Sequence, residues 1–310
     1  MTKKVHVYGR SDIGKIRKNN EDDFIAEKIW DDNHLLAVVI DGVGGYEGGE
    51  IATEIAKRTI IDYLRSFPDG ERGTLLKQAV TEANNIILKE RKEEYSGMSC
   101  VLTACLIEID KMRANMAHVG DTRLYRFANN ELRKLSHDHS PVGYREDIGD
   151  LTEEEAMRHP QRNIIIRDLG SEFHRIDDDF IETGSFPFLP GNMLLMCSDG
   201  LSDLLTSSEI SRILGGTGSV REKVDRLIAE ANTKGGKDNI TVVLADFKDK
   251  KSSSSKKRLT DKDLSGIPPD EIPMDGDLPQ RKKNTKIFRG IILILIAILA
   301  AILTILFIFN

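Results

Sequence analysis

The sequence predicts an α+β fold, a sheet core with helices packed outside it. Three observations predict this. Short apolar runs of strand length recur along residues 1–247. Two long segments of helical periodicity stand together between groups of such runs. An apolar share of 40 % is enough to fill a sizeable core.

Taken in order, Val5–Tyr8, Phe24–Ile29 and Leu35–Ile40 read as strands. Gly48–Phe67 then sets Ile51, Ile55, Thr59, Ile60, Tyr63 and Leu64 three or four apart, on one face of a helix. Glu71–Tyr95 repeats the pattern through Leu75, Leu76, Ala79, Val80, Ala83 and Ile87. Strands are predicted again at Cys100–Ile109, Arg113–Val119 and Arg123–Phe127. Thr152-Glu153-Glu154-Glu155 is a capping box, in which threonine and the third glutamate satisfy each other's backbone N–H groups. It opens a short helix that Pro160 stops. Phe180–Thr183, Met193–Cys197 and Ile240–Phe247 complete the predicted strands, with helices at Ser207–Leu214 and Val220–Thr233. There is no internal repeat.

Beyond residue 247 the character changes. Ser252–Ser255 is a serine run, and Pro268, Pro269, Pro273 and Pro279 break any helix, so 248–286 is expected to be a disordered linker. From Gly290 to Phe309 no residue is charged and nearly every position is Ile, Leu, Ala or Phe. About 20 such residues span a bilayer as a helix, and 287–310 is expected to be a transmembrane anchor. Arg281, Lys282, Lys283, Lys286 and Arg289 flank it, which favours the cytoplasmic side for the domain before it. Met1 to Arg10 has no apolar h-region, so no secretory signal is expected.

Charge divides the chain in the same place. Residues 248–289 hold twelve Lys/Arg and seven Asp/Glu, whereas residues 1–247 hold 32 and 43, a net of −11. An acidic domain repels nucleic acid, which excludes that class of partner. The cysteines, Cys100, Cys105 and Cys197, are odd in number and sit in apolar runs, which predicts buried thiols in a reducing compartment. None opens a Cys-x5-Arg pattern, so a thiol phosphatase is excluded.

The chemistry lies in the aspartates. Asp22, Asp41, Asp121, Asp199 and Asp238 fall at the ends of predicted strands, each within two residues of Gly or Asn. A carboxylate at a strand end is held by rigid backbone, and a neighbouring glycine admits a ligand or offers its own carbonyl. Carboxylate and carbonyl oxygens are the ligands of Mg²⁺ and Mn²⁺. Two such ions about 3.5–4 Å apart can activate a water and clamp a phosphoryl group for in-line displacement. A single Asp-Gly is usually a turn; five acidic motifs in order are not. Arg17, five residues before Asp22, has a planar fork suited to phosphate. Two rivals fail on spacing. Gly42-Val43-Gly44-Gly45-Tyr46-Glu47 puts glutamate where a dinucleotide fingerprint needs glycine, and Gly235-Gly236-Lys237 is followed by Asp238 where a P-loop needs Ser or Thr.

These motifs resemble, in order, those of the protein phosphatase 2C family in its bacterial form. The likeness runs through Arg17-Lys18-Asn19-Asn20-Glu21-Asp22, Asp41-Gly42-Val43-Gly44-Gly45, Gly120-Asp121-Thr122-Arg123, Asp138-His139-Ser140, His159-Pro160-Gln161-Arg162-Asn163, Ser198-Asp199-Gly200-Leu201 and Lys237-Asp238-Asn239-Ile240-Thr241. The resemblance implies a central β-sandwich flanked by helical layers, with two Mn²⁺ or Mg²⁺ ions at one end. It implies that Asp22, Asp41, Asp199 and Asp238 hold the pair, with the Gly42 carbonyl and with Glu21 through water, and that Asp41 bridges them. It implies a third ion at Asp121 and Asp199, and substrate phosphate on Arg17. The expected activity is hydrolysis of phosphoserine and phosphothreonine on proteins, membrane Ser/Thr kinases and their targets among them, from the cytoplasmic face of the cell membrane. A phospho-binding scaffold without activity is the rival, and the full acidic set argues against it. Val43 stands where animal members carry a histidine proton donor, Thr122 replaces a usual serine, and Asp168 a usual alanine. His118 and His139 read as structural.

Overall fold

The computed structural model describes residues 4–43, 48–93 and 97–248. The predicted span 287–310 and, apart from Lys248, the predicted linker 248–286 lie outside the described residues. Among the described residues no helix is long and apolar enough to cross a membrane.

Among the described residues, ten strands form two antiparallel five-stranded sheets. One sheet contains β1 (Lys4–Asp12), β6 (Arg123–Ala128), β7 (Glu131–Lys134), β9 (Met193–Cys197) and β10 (Ile240–Lys248), in the order β1-β10-β9-β6-β7. The other contains β2 (Asp23–Lys28), β3 (His34–Val43), β4 (Ser99–Glu108), β5 (Arg113–Val119) and β8 (Glu182–Pro187), in that order. Helices α1 (Gly49–Ser66) and α2 (Arg72–Glu90) cover the second sheet; α6 (Ser207–Gly215) and α7 (Val220–Thr233) cover the first. The layers are therefore α-β-β-α.

Strand β3 shows why the layers stack. Leu36, Val38 and Ile40 pack against α1 and α2, while Leu35, Ala37 and Val39 pack between the sheets with Met196, Val243 and Phe247. Alternate residues point to opposite faces, and both faces are apolar. Each large aliphatic side chain so buried contributes about 1.5–3 kcal/mol. A one-residue slip would exchange the faces, so packing fixes the register. That register carries Asp41, the residue after Ile40, to the strand's end.

Most predicted elements are present, and α4 (Glu153–Met157) is opened by the predicted capping box at Thr152. Two boundaries differ most. The helix predicted to Tyr95 ends at Glu90, where Arg91 turns extended. The strand predicted at Phe180–Thr183 is Glu182–Pro187, because Phe180 stacks on His174 at 3.7 Å and pairing with β5 begins at Glu182. Two elements escaped the periodicity: β7, joined to β6 through Asn129 and Asn130, both at positive φ, and α3 (Pro141–Asp147), capped by Ser140. The three cysteines are free and buried, as predicted; burial pushes the Cys197 thiol up to about 12.

Candidate metal centre

The predicted aspartates gather at one end of the sandwich because of how antiparallel strands align. Asp22 precedes β2, whose first residue pairs with Ile40 at the end of β3. Asp121 sits in the turn between β5 and β6; Asp199 begins the short helix α5 (Asp199–Ser202) directly after β9; Asp238 lies two residues before β10. Cys197 at the end of β9 pairs with Val242 near the start of β10 and with Arg123 at the start of β6. All of these termini therefore meet at the same end.

There they line a cavity of about 160 Å³. Asp41, Asp121, Asp199 and Asp238 face it, with Glu21, Gly42 and Arg17 at its walls. Val43 also lines it, as do Asn163 and Ile165 from the segment after α4. Asp22 is buried beneath, where it accepts from Ser198 Oγ at 2.9 Å. Ser198 Oγ in turn accepts from Thr241 N at 2.9 Å, tying the starts of α5 and β10 together. At the rim, Arg17 donates to Asp238 Oδ2 at 2.8 Å.

Close backbone approach explains the glycine at position 42. A Cβ there would lie 2.7 Å from the Glu21 carbonyl oxygen and 2.8 Å from Gly49 backbone, so only glycine lets the two chain segments meet. Gly120, at φ +104°, makes the turn that presents Asp121, and a Cβ on it would strike Val101.

Electrostatics say what the cavity suits. Burial, and then repulsion from Asp22, Asp199, Asp121 and Asp238, holds the Asp41 carboxyl well above its ordinary range. Burial and the neighbouring carboxylates do the same to Asp199. Burial lifts Asp22 to about 6, and burial with Asp138 lifts Asp121 to about 7. Like charges this close cannot all ionise unless cations stand among them. The donors are hard oxygens, carboxylates and the Gly42 carbonyl, so the residues fit Mg²⁺ or Mn²⁺ rather than a thiolate-seeking metal.

Several contributors were not legible in the sequence reading. Asp203, one helical turn after Asp199, lines an adjoining pocket with Asp121 and Asp199. It accepts from Arg162 Nε at 2.7 Å. The four-residue spacing from Asp199 was the available signal. Asn239 is buried and works as a clasp: its Oδ1 accepts from Glu21 N at 2.9 Å, and its Nδ2 donates to the Ile13 and Asn19 carbonyls, each at 3.0 Å. Below Asp121 lies an ion network. Arg123 donates to Asp138 Oδ2 at 2.9 and 2.7 Å and to Glu146 at 2.6 Å.

His118 and His139, read as structural, are so placed. His118 Nε2 donates to the His137 carbonyl at 3.1 Å, so Nδ1 accepts from Thr103 Oγ1 at 2.9 Å. Thr103 Oγ1 then accepts from Thr122 at 2.8 Å, which uses the hydroxyl that threonine shares with serine. His139 exchanges two bonds with Gly120: its backbone N–H donates to the Gly120 carbonyl and its Nδ1 accepts from Gly120 N. His118, His139 and Glu182 bring ligand atoms within 4.8 Å of one another. They are not open for a metal, because His118 is spent as described and both Glu182 oxygens hold His137.

Fold and site together define an oxygen-ligand cation centre at the end of a helix-flanked β-sandwich. A family model described as Protein phosphatase 2C matches residues 10–245. Serine/threonine phosphatase stp of Listeria welshimeri is 36 % identical over 249 residues, 78 % of this chain and 96 % of that one. Protein phosphatase PhpP of Streptococcus pneumoniae is 33 % identical over 241 residues, 76 % of this chain and 94 % of that one. Among solved structures, the Mycobacterium tuberculosis serine/threonine phosphatase PstP/Ppp superposes with a TM-score of 0.69 at 33 % identity, covering 79 % of this chain and 99 % of that one. A PstP catalytic domain in complex with two manganese ions gives 0.68 at 31 % identity, covering 80 % and 100 %. The chain belongs to the protein phosphatase 2C family.

Proposed function

We propose that the chain is a metal-dependent phosphatase that hydrolyses phosphoserine and phosphothreonine on proteins. The observation that carries the reading is the convergence of Asp41, Asp121, Asp199 and Asp238 on one cavity, with Arg17 at its rim. Asp22, Asp41, Asp199 and Asp238, with the Gly42 carbonyl and with Glu21 through water, would hold two Mn²⁺ or Mg²⁺ ions. Asp121 and Asp199 would hold a third. Bound there, the ions supply an activated water and neutralise phosphoryl oxygens. The rest is the work of the side chains. Arg17, oriented by Asp238, presents its remaining N–H groups to the substrate phosphate. Asn239 and Ser198 fix the loops that carry Glu21, Asp22 and Asp238. Val43 cannot donate a proton, so either water protonates the leaving alkoxide or no protonation is needed at the transition state.

The test is hydrolysis of p-nitrophenyl phosphate and of phosphothreonine peptides by the full chain in detergent. Activity is expected with Mn²⁺ and none with EDTA; full activity in EDTA would exclude the dimetal reading. The apolar run 290–309 supports a single-pass anchor in the cell membrane, and its basic flank, with the buried thiols, supports a cytoplasmic catalytic domain facing membrane Ser/Thr kinases and their targets. Fractionation of cells, and protease applied to spheroplasts, test that arrangement. A soluble full-length chain rules out the anchor, and cleavage of the domain from outside rules out the orientation.

A further inference from the structure

A second cavity of about 430 Å³ opens beside the acidic one and shares Arg17, Asn163, Asp199 and Asp238 with it. Its outer wall is basic: Arg158 and Arg162 from the segment at the end of α4, and Lys237 from the loop before β10. Two of the cations facing this cavity are already matched. Arg17 is paired with Asp238 at 2.8 Å and Arg162 with Asp203 at 2.7 Å. Arg158 and Lys237 are exposed and form no ion pair with any described residue.

We infer that Arg158 and Lys237 form a second anion subsite, which takes another phosphorylated residue of the same substrate segment while the scissile phosphate sits on the acidic cavity. The inference rests on the phosphatase reading above and deepens it: the favoured substrates are segments phosphorylated at two nearby positions. Charge complementarity carries the argument. Residues 1–247 have a net charge of −11, so an approaching phosphopeptide is repelled almost everywhere. Two unmatched cations on a wall continuous with the reaction site reverse that locally, within a screening distance of about 8 Å. A carboxylate would neutralise one of them. A phosphate carries about −1.5 to −2 at neutral pH and neutralises both. Arginine also offers a phosphate two parallel donors, with lysine as a point charge beside it. Because each residue of extended peptide advances about 3.3–3.6 Å, a phosphate a few residues from the scissile one reaches the neighbouring cavity.

The experiment uses the purified full chain with Mn²⁺ and peptides bearing one phosphothreonine. The positions on either side of it carry alanine, aspartate or phosphoserine in turn. At the matching position, phosphoserine is expected to raise kcat/KM for the phosphothreonine on the order of 10-fold over alanine, mainly through KM, as for two exposed charge pairs. Aspartate should gain clearly less, and the gain should shrink in high salt. The double variant Arg158→Gln/Lys237→Gln should lose the gain, yet hydrolyse p-nitrophenyl phosphate and the alanine peptide like the wild type. Equal rates for alanine and phosphoserine at every position, with p-nitrophenyl phosphate still hydrolysed, overturn this inference alone. Aspartate matching phosphoserine overturns the second phosphate, and a gain that survives the double variant overturns the assignment to these residues. Failure to hydrolyse p-nitrophenyl phosphate under any divalent cation overturns the phosphatase reading, and this inference with it.

Discussion

Replacing Arg123 with methionine tests the ion network under Asp121. The guanidinium is 11 % exposed and its partner Asp138 only 3 %, so the pair lies out of water. Burial alone would raise the Asp138 carboxyl; Arg123 and then Lys134 more than reverse this and hold it below its ordinary range. Breaking a buried pair from one side costs about 3–5 kcal/mol, because the remaining charge stays buried without its partner. Here Lys134 remains 3.2 Å from Asp138, which places the loss at the lower end, about 3 kcal/mol. In a domain of this size each kcal/mol lowers Tm by about 2–4 °C, so Arg123→Met should melt about 6–12 °C below the wild type. Adding Asp138→Leu should recover part of the loss, since it removes the stranded charge. Circular dichroism melts of the three proteins, in EDTA and at pH 7.5, make the comparison. A single variant melting within about 2 °C of the wild type would show that water reaches Asp138 and that the network is not buried as described.

Three further outcomes follow from the site. Asp199→Asn should abolish turnover, yet raise the melting temperature in EDTA by on the order of 2–4 °C, because it relieves repulsion among the carboxylates. The same variant should lose most of the stabilisation that Mn²⁺ gives the wild type; an EDTA melt below wild type would count against mutual repulsion. Asn239→Ala strands the Glu21 N–H and the Ile13 and Asn19 carbonyls, each costing about 1–3 kcal/mol if unsatisfied. Calorimetric titration of the folded variant should therefore show weaker Mn²⁺ binding, and unchanged affinity would remove the clasp from the account. Burial, then His118 and Arg167, depress the His139 imidazole to about 3. The unfolded chain, with a histidine pKa of about 6.5, binds a proton that the folded chain refuses. Stability should therefore decline as pH falls below about 6.5 and be indifferent to this group above it. His139→Asn keeps an acceptor for Gly120 N and should flatten that decline; equal pH profiles for the two proteins would contradict the assignment.

The sheet core with helices outside it and the acidic positions were legible because both are local signals, whereas the sandwich followed only from the resemblance of the ordered motifs. The continuous apolar run in β3 and Asp near Gly at strand ends each speak through a few neighbouring residues. What escaped depends on partners distant in sequence. Asn239 gains meaning from Glu21, 218 residues away, and from the Ile13 and Asn19 carbonyls, and Arg162 from Asp203. The Asn129-Asn130 hairpin is the exception. Two asparagines at φ 51° and 64° are a turn signal in their own right, and a four-residue β7 is too short to show period. Glu182–Pro187 was misplaced by two residues, because apolar Phe180 suggested a strand while its ring was committed to His174.

The position of β10 governs when the protein can begin to work. It lies between β1 and β9, so β1 has no neighbour in its sheet among the described strands until β10 has left the ribosome. Asp238 arrives with that strand. At roughly 5–20 residues per second, the interval between β1 and β10 lasts on the order of ten seconds or more. Throughout it a nascent chain lacks one carboxylate of the cavity and the clasp at Asn239. Translation itself thus sets a delay before the cavity can be completed.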